Sequence, residues 1–100
     1  MDRYVVERNL PNAGELSDDE LRAVSAKSNA VLESLGEDVR WVESYVTADK
    51  LYCVYDATDP RLIEEHAERG GFPCDRISPV RSMISPATGA QTAPDDRENS

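Results

Sequence analysis

Glu7, Glu43, Tyr45, Cys53 and His66 are the side chains of this 100-residue sequence whose types and surroundings point to chemistry. His66 is the one histidine, and imidazole near neutral pH serves either as a metal ligand or as a proton-transfer group. It shares a helical face with Leu62, Ile63 and Ala67, which equally suits a core histidine hydrogen-bonded to a carbonyl or carboxylate. Cys53 stands in an apolar run, where a thiol is a small hydrophobe or a soft ligand. No Cys–His nucleophile signature surrounds it. Glu7 and Glu43 sit in strand-like segments, and a carboxylate enclosed there needs a cation, a tyrosine hydroxyl or a metal beside it. Arg3 and Lys50 are the ion-pair candidates.

The elements that must position these groups are well marked. Residues 3–8 are rich in β-branched and aromatic side chains and predict a first strand. Leu16-Ser-Asp-Asp-Glu-Leu21 announces a helix: Ser17 can cap the Glu20 amide while Glu20 reaches back. Asp18 and Asp19 suit the positive end of the helix dipole. The stripe Leu21, Val24, Ser28, Val31, Leu32, Leu35 keeps helical spacing, and Gly36 ends it. Residues 39–46 and 51–55 predict two strands of a hairpin around the turn 47–50. Asp59 caps a second helix with Pro60 at its first position, and Gly70-Gly71 closes it. Residues 77–83 predict a last strand, which Pro79 places at an edge or a bulge. The order βαββαβ is the ferredoxin-like arrangement of an α+β fold, a four-stranded antiparallel sheet with two helices on one face.

Strand composition adds an expectation about assembly. Trp41 and Tyr45 alternate with Val42 and Val46, and Leu51, Cys53 and Tyr55 alternate with Tyr52 and Val54, so the strands are apolar on both sides. A sheet with one wet face alternates apolar with polar residues instead. The face away from the helices therefore needs a cover, and a second copy packed sheet to sheet, a dimeric α/β barrel-like homodimer, supplies it. Strand parity assigns Glu7, Glu43, Tyr45, Cys53 and Tyr55 to that interface, with Trp41, Leu51 and Val5 in the same patch.

Composition limits the remaining choices. The hydrophobic fraction of 39% is low, and the deficit lies mainly at the end of the chain. One domain over residues 1–83 and a disordered tail over 84–100 are expected, because the tail has too little apolar mass to offset its ordering entropy. A net charge of −9, with basic residues scattered singly, argues against nucleic acid and membrane surfaces as partners. Arg8 and Asn9 interrupt the N-terminal apolar run before it resembles a secretion signal. A cytoplasmic protein with reduced thiols at Cys53 and Cys74 is the expectation. No CxxC pair, HExxH motif or glycine-rich phosphate loop is present, since Gly70-Gly71 follows a helix instead of preceding one.

Several segments carry a family resemblance: Arg3-Tyr-Val-Val-Glu-Arg8, Arg40-Trp-Val-Glu-Ser-Tyr-Val-Thr-Ala-Asp-Lys50, Cys53-Val-Tyr-Asp-Ala57, and Glu65-His-Ala67 with the later Gly70 and Pro73. Over residues 1–80 the chain resembles a family of small bacterial ferredoxin-like proteins, a domain-of-unknown-function family best known for a nickel-binding member. The resemblance implies a dimeric protein that binds nickel(II). It makes Glu43, Cys53 and His66 the preferred metal ligands, with Glu7 and Tyr45 supporting. A histidine commonly stands in that family where this chain has Glu43, a harder ligand that suits nickel less well. The alternative is a small cofactor-free enzyme acting on an organic molecule in the sheet cavity, Tyr45 or Tyr55 orienting it and Glu43 or His66 moving a proton.

Overall fold

The computed structural model describes residues 1–90. The chain runs through β1 (Asp2–Asn9), a 3-10 turn (Ala13–Glu15), α1 (Asp18–Leu35), β2 (Val39–Val46), β3 (Lys50–Ala57), α2 (Pro60–Gly70), β4 (Arg76–Pro79) and α3 (Pro86–Ala90). The sheet is antiparallel with strand order β2-β3-β1-β4. This α+β architecture is consistent with a ferredoxin-like fold. Among the described residues no helix is long and apolar enough to cross a membrane.

Local chemistry sets the helix ends. Ser17 Oγ accepts from the Glu20 amide at 3.1 Å, and Glu20 Oε1 accepts from the Ser17 amide at 2.9 Å, a complete capping box. Asp59 accepts from the Arg61 amide at 2.9 Å and Pro60 opens α2. Gly71 ends α2 at φ 69°, a left-handed conformation that a side chain would strain. The last strand is shorter than expected, ending at Pro79, although the Val80 amide still donates to the Arg3 carbonyl at 2.9 Å. Pro86–Ala90 forms a short helix with no buried residue, where a disordered tail was expected. The rest of that expected tail, 91–100, lies outside the described residues.

The sheet faces correct the expectation from strand parity. β1 and β3 pair Tyr4 with Tyr55 and Val6 with Cys53, so even positions of β1 share a face with odd positions of β3. That face is the covered one: Tyr4, Val6, Cys53, Tyr55 and Ala57 are buried with Ile63 of α2. β2 carries an irregularity between Trp41 and Glu43, where Val42 is the extra residue. Such a bulge shifts the alternation by one position. Trp41 and Ser44 therefore point to the same side, and the indole Nε1 donates to Ser44 Oγ at 2.8 Å. Cys53, Tyr55, Trp41 and Leu51 consequently lie under the helices and not on the open face. Glu7, Glu43, Tyr45 and Val5 lie on the open face, as expected.

One polar device braces the open face. Arg3 and Arg40 stand directly across from Asp56 on the neighbouring strands. Its carboxylate accepts from Arg3 Nε at 2.8 Å and from Arg40 Nη2 at 2.9 Å. Hydrogen bonds from Arg3 and then Arg40 hold the Asp56 carboxyl well below the usual carboxylate range. Arg3 thus hydrogen-bonds Asp56 and not Glu7 or Glu43. Asp56→Ala leaves two guanidinium groups without their shared acceptor, and we expect a loss of about 2 kcal/mol by urea unfolding. Both arginines are partly solvated, which keeps the cost below that of a fully buried pair.

Candidate functional site

The covered face of the sheet does not close completely against the helices. Between α1, α2 and strands β1 to β3 lies a cavity of about 200 Å³. Four elements each deliver a polar group to it: Arg8 from β1, Ser28 from α1, Cys53 and Tyr55 from β3, and His66 from α2. All five residues are buried. The capping box fixes where α1 begins, and the helical stripe then turns Ser28 inward as its one buried residue. In α2 the same periodicity places His66 inward with Ile63 and Ala67.

The His66 ring packs at a tilt against Tyr55, with centroids 5.5 Å apart, and against Phe72 at 5.3 Å. Its Nε2 lies 3.0 Å from Ser28 Oγ. Its Nδ1 is buried and has no hydrogen-bond partner among the described residues. Burial, and secondly the positive charge of Arg8, lower the imidazole pKa to about 4, so His66 is neutral at physiological pH. Burial pushes the Tyr55 phenol up, while Arg8 pulls it part of the way back. Both groups therefore enter the cavity uncharged at pH 7.

Arg8 is the exception and was not singled out from the sequence, where it reads as a polar interruption after Val6. It is 4% exposed. One guanidinium nitrogen donates to the Pro73 carbonyl and the other to Tyr55 Oη at 3.2 Å. The guanidinium carbon lies 5.8 Å from the centroid of the Phe72 ring and 5.9 Å from that of Tyr55. No carboxylate pairs with it among the described residues. The available signal was parity: Arg8 shares its face of β1 with Tyr4 and Val6.

The five residues expected to hold a metal are divided by the sheet. Cys53 and His66 meet in the cavity, reversing the expectation that they would lie on opposite surfaces. Glu7, Glu43 and Tyr45 lie behind it. Glu7 takes the ion pair foreseen for it, 3.8 Å from Lys50 Nζ. Tyr45 donates to the Glu43 carboxylate two residues away, an interaction that holds its phenol pKa up. Among the described residues no group of three His, Cys, Asp or Glu side chains could hold a metal ion. Cys53 and His66 supply only two donors, beside a fixed cation. The described residues of this chain therefore do not, by themselves, fit nickel(II).

The fold and cavity define a small α+β domain with a partly open, largely apolar cavity between its sheet and its helices, at the base of which buried polar side chains gather. The chain belongs to the SCO4226-like family of nickel responsive proteins, whose sequence model matches residues 4–80. It is similar in fold to the crystal structure of SCO4226 from Streptomyces coelicolor A3(2), with a TM-score of 0.69 and 17% identity. That similarity covers 82% of this chain and 99% of the other. No curated protein matches the chain.

Proposed function

We propose that this chain is a cytoplasmic homodimer that responds to nickel by holding Ni²⁺ between its subunits. The observation that carries this reading is the open face of the sheet. Val5 and Val54 are half-buried there, and Val42 and Tyr45 are 40% and 55% exposed. Val80 and Met83 extend the same shallow trough past the end of β4. A second copy is the partner that would cover such a surface symmetrically. Family membership supports nickel as the ion, and the lack of a three-donor group among the described residues of one subunit supports a site completed by two.

Glu43 is the ligand this reading needs most. It stands on the edge strand β2 across from Val54, which stands across from Val5, so it flanks the apolar centre of the open face. Glu7 lies two strands away, about 10 Å, too far to share an ion with Glu43 in the same subunit. Two copies would bring two Glu43 carboxylates and two Tyr45 hydroxyls to one interface, an oxygen-rich site that is hard for nickel.

Calorimetric titration with Ni²⁺ tests the proposal. Glu43→Ala is expected to weaken binding at least tenfold, about 1.4 kcal/mol, whereas His66→Ala leaves it unchanged. Loss of binding in His66→Ala with Glu43→Ala intact would move the metal into the cavity. Binding that survives both substitutions would remove both locations.

A further inference from the structure

We propose that the cavity between sheet and helices is a binding site for a small organic carboxylate with an apolar body, and that Arg8 is its anion-binding residue. The proposal rests on neither the metal nor the dimer, because the cavity and the open face lie on opposite sides of the sheet.

The first argument is the charge of Arg8. A guanidinium removed from water without a counter-charge is costly to keep, and arginine cannot escape by losing its proton. Its two hydrogen bonds go to neutral oxygens, Pro73 O and Tyr55 Oη. A guanidinium offers five N–H donors in a planar fork suited to a carboxylate, so most of that capacity remains for an occupant. Among the described residues Arg8 is the one charged side chain that lines the cavity, since His66 and Tyr55 are neutral at pH 7. Lys27 Nζ, 5.5 Å from the centroid of the lining Phe72 ring, adds positive potential beside it.

The second argument is the rest of the floor. Ser28 and Tyr55 bring hydroxyls, and His66 brings a ring whose Nδ1 is buried and unpartnered. Buried polar atoms without partners are uncommon in native proteins. Here the unpartnered atom belongs to a cavity-lining side chain on the same floor as an unpaired cation.

The third argument is the polarity of the cavity along its length. Its floor is polar and fully buried, while partly exposed Leu21 and Val24 of α1 and Leu51 and Val46 of the hairpin line its outer part. An anion at the floor thus requires an apolar body to fill the mouth. Inorganic phosphate would leave those walls unfilled and ask Arg8 alone to balance more than one charge. A cavity of about 150 Å³ accommodates benzene, so about 200 Å³ suits a carboxylate of benzoate or phenylacetate size.

Trp41 lines the cavity and is the chain's one tryptophan, which supplies the readout. Full-length protein is titrated with benzoate, phenylacetate, benzamide and inorganic phosphate at pH 7, following Trp41 fluorescence and heat. We expect saturable binding of an aromatic carboxylate at least tenfold tighter than of neutral benzamide, with phosphate weaker still. Arg8→Met should remove that preference, with circular dichroism confirming the fold. Val24→Phe, which narrows the mouth and leaves Arg8 untouched, should weaken both aromatic probes, and it serves as the test if Arg8→Met does not fold. Benzamide binding as tightly as benzoate would overturn the role of Arg8, and phosphate binding as tightly would overturn the apolar body. Absence of saturable binding by any probe to the wild type would overturn the site. Nickel binding in these variants is expected to be unchanged, so its loss or survival reports on the metal proposal separately.

Discussion

Acidification from pH 7 to pH 4 is expected to remove on the order of 3 kcal/mol of stability through His66 alone. The imidazole ordinarily titrates near 6.5, and in the fold its pKa is lowered to about 4 by burial and by Arg8. Between those values the unfolded chain binds a proton that the native state refuses, and this favours unfolding. The native state is therefore free of the penalty above pH 6.5, loses stability as the pH falls through this window, and levels off below pH 4. Asp56 acts lower still, because its carboxyl is already held below the ordinary range. The two contributions thus separate along the pH axis. Urea midpoints at pH 7, 5.5 and 4.5 measure the slope, and His66→Gln should flatten it while retaining a partner for Ser28. A wild-type midpoint that does not move between pH 7 and 5 would mean that His66 is not held neutral inside the fold.

Val54→Asp is expected to convert the proposed homodimer to a monomer at micromolar concentration, weakening self-association at least a hundredfold, about 2.7 kcal/mol. Val54 sits at the centre of the open face, directly across from Glu43 on one side and Val5 on the other. The substitution removes apolar contact and sets a second carboxylate opposite Glu43, where like charges repel. Twofold symmetry applies both penalties twice. Sedimentation velocity reads the change. Trp41 emission should stay the same, since the indole lies on the other side of the sheet. A wild-type protein that sediments as a monomer at these concentrations would end the dimer proposal. In that case the apolar open face would need a different partner.

The first three strands, α1 and α2 were legible in the sequence in their order, because such elements depend on neighbours a few residues apart. The Ser17–Glu20 box, the Asp59-Pro60 start and the glycine stops at Gly36 and Gly71 all act locally, and each is found where its residues stand. Periodicity also turned Ser28 and His66 inward, since a helix repeats its face regardless of what covers it. Which sheet face is covered was decided only by the tertiary structure. Period-two alternation sorts a strand into two sets but cannot rank them when both are apolar, and the β1–β3 register joins Val6 to Cys53 instead of Glu7. The bulge at Val42 then shifts the alternation within β2, so one parity cannot describe that strand. Arg8 was hidden for a related reason. A basic residue next to a turn reads as solvated, and its burial arises from residues more than sixty positions away, where the Pro73 carbonyl meets the guanidinium and the Phe72 ring lies beside it. Contacts of that sequence separation carry no local signal, yet they turn a surface charge into the polar floor of a cavity.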